Sequence, residues 1–295
     1  MRRNLVSGVF PPMITPFKNE EVDYEGLIGN IKKLNDSNLK GYFILGTNGE
    51  FKSLTTEEKL KIIETTVSNS AEDKIVMAGT AAESTKETID VTLEAAKLGV
   101  DQVSILMPHF FRKYIDDEVM INYITDVADA SPVPVILYNN PSVAADIMIT
   151  SKVVKEVASH PNVIGMKDSS KGNYEEYIKI SEDEEFYIIA GSASFFYEAL
   201  KAGAVGGVLS LANVFPNECT ELYDLYKNEN FTKAEKLNNR LINLNKKVSG
   251  SGGVAAVKKA AEIMGFKAGP PRLPIKKLND KKIKLLKENI ENYDF

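Results

Sequence analysis

Eight short apolar runs recur along the chain, and they constrain its fold more than any other feature: GVFPPMI (8–14), GYFILG (41–46), KIVMAGT (74–80), QVSILMP (102–108), PVILYNN (134–140), VIGMKD (163–168), FYIIAG (186–191) and GGVLSLA (206–212). Each is nearly continuous in apolar residues rather than alternating, the pattern of a parallel strand covered on both faces. Between most of them lie segments of helical spacing, such as TTEEKLKIIETTVSNS and STKETIDVTLEAAKLG, with Ser or Thr near the start where an N-cap belongs. The run starts are about 20 to 33 residues apart, which fits an α/β fold of the (β/α)8 (TIM) barrel type. A doubly wound open sheet is the alternative, but no run is followed by a glycine-rich phosphate loop. Pro11 and Pro12 suit a strand end, because neither can donate a ladder hydrogen bond. The strands stop near residue 214. The expected division is a barrel over 1–225 and a C-terminal helical extension over 226–295, packed on the barrel as one structural unit.

Composition excludes several classes of function. The chain has 295 residues, 43% hydrophobic and 26% charged, ample for a large core. No apolar run reaches the roughly 18 residues of a membrane span, and the opening MRRNLVSGVFPP has no apolar stretch suited to a secretory signal. A cytoplasmic protein with no membrane partner is expected. A net charge of −5 argues against nucleic acid. One cysteine, Cys219, and two histidines, His109 and His160, leave no disulfide framework and little to hold a metal. Neither a metal nor an organic cofactor is expected.

In a barrel the chemistry collects at the C-terminal ends of the strands. The polar residues there are Gly46-Thr47-Asn48-Gly49-Glu50, Tyr138-Asn139-Asn140, Lys167-Asp168 and Gly191-Ser192. A lysine in an apolar environment loses part of its basicity, and its neutral amine becomes a nucleophile toward a carbonyl. Taken alone, Lys167 reads at least as well as a lysine that snorkels or pairs with a carboxylate such as Asp168. Tyr138, at the end of a neighbouring strand, can shuttle protons to and from the resulting carbinolamine, or can be a core tyrosine with one satisfied hydrogen bond. The Gly46–Gly49 turn offers N–H groups and two polar side chains to a carboxylate, or is a tight turn before the helix starting near Thr55.

GTNGE (46–50), YNNP (138–141), GMKD (165–168) and AGS (190–192) resemble, in order and spacing, the motifs of the dihydrodipicolinate synthase and N-acetylneuraminate lyase family. The resemblance runs from GVFPPMITPF to GPPRLPI (269–275). It implies a (β/α)8 barrel with a helical C-terminal extension, and chemistry on pyruvate or a 2-oxo acid that yields it. The covalent imine would form on Lys167, with Tyr138 as general acid and base and Thr47 beside it. Thr47 and Asn48 match the positions that bind the substrate carboxylate, and Gly191 and Leu209 fall near those lining the imine pocket. The family is commonly a homotetramer built from tight dimers, so a homotetramer or homodimer is expected.

Two departures bear on the second substrate. Dihydrodipicolinate synthases usually carry a tyrosine, lent across a subunit interface, where this chain has Phe110, and an arginine where it has Val143. Glu83 and His109 stand where the lysine-regulated synthases have asparagine and tyrosine, so no lysine inhibition is expected. Other local features, GTNGEF, AGSASF and GAVGGVLSLANV, look closer to the 4-hydroxy-2-oxoglutarate aldolase branch. The expected activity is therefore a class I lyase cleaving a 4-hydroxy-2-oxo acid. The alternative is condensation of pyruvate with aspartate semialdehyde, with Arg112 or Tyr114 compensating. A sugar-acid aldolase, a sialic acid lyase and a non-catalytic 2-oxo acid binder stand behind these. Phe110-Phe111 reads as an intersubunit contact or as core.

Overall fold

The computed structural model describes residues 2–170, 172–250 and 252–293. Its strands are β1 (Gly8–Phe10), β2 (Phe17–Lys18), β3 (Glu21–Val22), β4 (Gly41–Ile44), β5 (Ile75–Gly79), β6 (Gln102–Leu106), β7 (Val135–Asn139), β8 (Val163–Asp168), β9 (Tyr187–Ala190) and β10 (Gly206–Val208). Each of the eight expected runs contains one strand, and an α-helix follows each, so the fold class is the (β/α)8 barrel anticipated from the sequence. The chain falls into two compact units, one holding residues up to Gly8 and Ile75–Val208, the other Val9–Lys74 and residues from Leu209 onward. The helix Pro216–Lys227 spans the expected division at 225/226.

In the first unit β5 to β10 pair in chain order, every partnership parallel. The strands β6, β7 and β8 are buried at every position, which explains their unbroken apolar character. Their helices start on side-chain caps. Ser84 accepts from the Glu87 N–H, Asp116 from Val119 and Thr150 from Val153, each satisfying an otherwise orphaned donor.

In the second unit the two prolines serve as acceptors. The Phe43 N–H donates to the Pro11 carbonyl, Asn213 Nδ2 to the Pro12 carbonyl at 2.9 Å and the Met13 N–H to the Phe43 carbonyl, so the chain next to β4 is held without any proline donor. A short antiparallel hairpin, β2 and β3, was not expected from the sequence. The helix Thr56–Asn69 opens on a full capping box between Thr55 and Glu58, close to the expected start. The C-terminal segment forms the helices Phe231–Val248, Gly253–Ile263 and Asp280–Glu291.

Candidate active site

Strand β8 lies between β7 and β9, and its register fixes the centre of the site. At the start of the pair Val135 stands opposite Val163, but the next residue, Ile136, stands opposite Gly165, so β8 carries one extra residue at Ile164. Downstream of that bulge Tyr138 is opposite Lys167 and Asn139 opposite Asp168. Opposed residues share a face of the sheet, so the bulge brings the Lys167 amine to the Tyr138 side. Gly165 is required there, since a Cβ would lie 2.3 Å from the Tyr187 carbonyl oxygen.

Lys167 is 4% exposed, and its Nζ lies 3.9 Å from the centroid of the Tyr138 ring. Burial pushes the amine below its ordinary basicity; the charge and hydrogen-bonding influence of Tyr138 opposes this without reversing it. A snorkelling lysine would reach water, and this one does not. Asp168, the suggested ion-pair partner, is taken up elsewhere: its carboxylate accepts from Asn139 Nδ2 at 2.8 Å and from the Ser170 hydroxyl and N–H at 3.0 and 3.2 Å. Burial raises the Asp168 pKa, and these donors work against the rise. Asn139 also accepts from the Ile149 N–H at 3.0 Å, while Tyr177 donates to the Ile149 carbonyl at 2.7 Å. Asn139 therefore ties the ends of β7 and β8 to the following loop. Replacing Asn139 by alanine takes one donor from the buried Asp168 carboxylate and strands the buried Ile149 N–H, and should cost about 1–3 kcal/mol in a urea titration.

Gly191 donates its N–H to the Asp168 carbonyl at 2.7 Å, and a Cβ on it would fall 1.9 Å from Ser169 Oγ and 2.6 Å from that carbonyl. Lys167, Tyr138 and Gly191 are thus brought together along neighbouring strands.

In the second unit the Gly46–Glu50 turn is closed by the Gly49 N–H to the Gly46 carbonyl and the Glu50 N–H to the Thr47 carbonyl, both 3.1 Å. The Thr15 hydroxyl donates to the Gly49 carbonyl at 2.7 Å. Asn48 is buried and donates to the Ser210 hydroxyl at 2.8 Å. Leu209, also buried, precedes that serine and donates its N–H to the Phe10 carbonyl. Thr47, Asn48 and Leu209 thus form a second group. Behind the turn, Glu50 accepts from Lys258 Nζ at 2.8 Å and from the Arg272 N–H at 2.9 Å; Lys258 also donates to the Thr15 carbonyl and lies over the Phe17 ring. Ser170, Ser210 and Lys258 were not singled out from the sequence. Lys258 had one visible signal, a lysine embedded in the small apolar run GVAAVKKAAEI.

Phe110 and Phe111 are not core in this chain: they are 78% and 60% exposed and pack edge to face. Arg112 faces Asp146 at 3.6 Å, and Tyr114 is exposed. Glu83 accepts the N–H groups of His109 and Phe110, and His109 Nε2 is 3.4 Å from its carboxylate, so these two residues engage each other. Among the described residues no group of three or more His, Cys, Asp or Glu is placed to hold a metal ion, and no helix is long and apolar enough to cross a membrane.

Residues 5–293 match the dihydrodipicolinate synthetase family. The chain belongs to that family. The 4-hydroxy-tetrahydrodipicolinate synthase of Methanospirillum hungatei is 30% identical over 98% of this chain and 100% of its own length. The probable mitochondrial 4-hydroxy-2-oxoglutarate aldolase of Emericella nidulans is 31% identical, over 97% of this chain and 94% of its own. The crystal structure of dihydrodipicolinate synthase from Aquifex aeolicus superposes with a TM-score of 0.92 at 28% identity, over 97% of this chain and 98% of that one. As a dihydrodipicolinate synthetase family member the protein is a carbon–carbon lyase of the aldolase type.

Proposed function

We propose that the protein cleaves a 4-hydroxy-2-oxo acid, such as 4-hydroxy-2-oxoglutarate, to pyruvate and an aldehyde through an imine on Lys167. The observation that supports this above the others is the buried amine with lowered basicity beside the Tyr138 ring. The neutral amine attacks the C2 carbonyl to give a carbinolamine, and Tyr138 supplies the proton with which its hydroxyl leaves as water. The protonated imine then accepts the electron pair of the C3–C4 bond as the C4 hydroxyl loses its proton, releasing the aldehyde and leaving an enamine. Protonation at C3 and hydrolysis return pyruvate and the free amine. The electron sink is the imine itself, so the chemistry requires neither a metal nor an organic cofactor. Thr47 and Asn48 are assigned the 2-oxo acid carboxylate, and Gly191 and Leu209 the walls around the imine, on family resemblance.

The second substrate is assigned on two residues. Val143 sits half-buried in the turn after β7, where the synthases that act on aspartate semialdehyde usually carry an arginine, and valine offers no bidentate clamp. Phe110 supplies no hydroxyl. The assay is pyruvate release from 4-hydroxy-2-oxoglutarate, coupled to lactate dehydrogenase. Release at least about tenfold more efficient, by kcat/KM, than condensation of pyruvate with aspartate semialdehyde is expected, and the reverse ranking would move the protein to the synthase branch. We place it in the cytoplasm as a homotetramer or homodimer, a reading supported by the free thiol of Cys219 and the exposed rings of Phe110, Phe111 and Tyr114.

A further inference from the structure

The strand that carries Tyr138 ends at Asn139, Asn140 follows it, and the two asparagines do different work. Asn139 points into the buried network around Asp168. Asn140, one position on and therefore on the other face, donates from Nδ2 to the Tyr138 hydroxyl oxygen at 2.8 Å. Its own carbonyl oxygen accepts from the Ser142 hydroxyl at 2.6 Å. Its backbone carbonyl accepts from the Val143 N–H at 3.1 Å, where the chain turns through Pro141–Val143. The amide is held at its main chain and at its oxygen, so its NH2 group is aimed at the phenol before any substrate arrives.

We infer that Asn140 is a positioning residue for proton transfer, holding the Tyr138 oxygen by an amide donor and favouring the form of Tyr138 that has given its proton away. The inference rests on the reading of Tyr138 as the acid and base of the imine chemistry. An oxygen that has lost its proton can only accept, and a fixed N–H donor stabilises that form more than the neutral phenol. Each time Tyr138 gives a proton to the leaving hydroxyl, the oxygen left behind keeps a donor, so the transfer needs no reorganisation around it. Ser142, exposed at the far side of the amide, sets its orientation.

The test uses pyruvate alone, so it does not depend on the aldehyde partner. Exchange of the pyruvate methyl protons with deuterium, followed by NMR, reports formation and reprotonation of the enamine, while borohydride reduction in the presence of pyruvate traps the imine on Lys167. For Asn140→Ala, exchange should slow about 10- to 100-fold and the limb of its pH profile that reports loss of the Tyr138 proton should move to higher pH, with trapping yield retained. Asn140→Asp keeps the shape but, ionised, offers no donor; it should be impaired at least as much as the alanine variant. Asn140→Gln, which can return a donor on a longer arm, should recover part of the rate. Exchange within twofold of the parent in both the alanine and aspartate variants, with an unmoved pH profile, would overturn the inference while leaving the imine chemistry intact. Absence of both trapping and exchange in the parent would instead remove the reading of Lys167 and Tyr138, and this inference with it.

Discussion

Lys167→Ala should abolish reductive trapping of pyruvate and lower turnover by at least about 10^4-fold, because no other group would supply the nucleophile on which every later step depends. Full activity in this variant would refute the imine mechanism. A companion, Lys167→Met, separates chemistry from folding. Burial holds the folded-state amine below the ordinary lysine value of 10.5, so between the lowered folded value and 10.5 the unfolded chain binds more protons and the parent gains stability as pH rises. Below the folded value the parent carries the full penalty of a buried charge. Methionine fills the same space without that penalty. The methionine variant should therefore melt on the order of 2–5 °C above the parent at neutral or acidic pH, and the advantage should shrink as pH is raised. A variant that is inactive yet more stable would identify Lys167 as a residue kept for function at the expense of the fold.

The second large effect concerns the buried pair behind the Gly46–Glu50 turn. Lys258 and Glu50 are both essentially inaccessible, 2.8 Å apart, with the Thr15 carbonyl and the Arg272 N–H completing their hydrogen bonding. Lys258→Met leaves the Glu50 carboxylate buried without its cation and should cost about 3–5 kcal/mol. The double variant Glu50→Gln, Lys258→Met removes both charges while leaving an amide oxygen to accept from Arg272, and should restore most of that loss. The check is a double-mutant cycle by denaturant titration, and additive losses would mean the pair is not coupled. Glu50 ends the turn assigned to the substrate carboxylate, so the single variant should also raise KM for the 2-oxo acid more than it lowers kcat.

The strands were legible because burial on both faces leaves a mark that needs no partner to be read: short runs dominated by apolar residues with no alternation, as in QVSILMP. Lys167 was legible for the same reason, as an ionisable group where such a run stops. The β2–β3 hairpin was not. Its strands are two residues each, and its turn places Asn19 and Glu20 at φ of 52° and 68°, a conformation usually announced by Asn-Gly or Asp-Gly. The Asn139–Asp168 network and the Glu50–Lys258 pair were illegible for a different reason. Each joins residues distant in sequence, 29 and 208 positions apart, and no local pattern says which polar groups will meet. Phe110 and Phe111 show the limit of composition, since two adjacent aromatic rings look the same in a core as on a surface.

The extra residue at Ile164 turns the identity of the nucleophile into a question of odd and even. Side chains along a strand alternate, so whether Lys167 or one of its neighbours, Met166 and Asp168, stands beside Tyr138 is decided by the parity of the count from the start of β8. With the same residues and no bulge, Met166 would stand opposite Tyr138, Asp168 would share its face, and the amine would point to the other. A substitution in β8 changes one side chain, whereas the bulge sets the face of everything after it; removing the extra residue together with the bulge would leave a regular ladder with Lys167 still opposite Tyr138. The bulge and its extra residue are therefore one feature, and the amine faces the phenol only when both are present or both are absent.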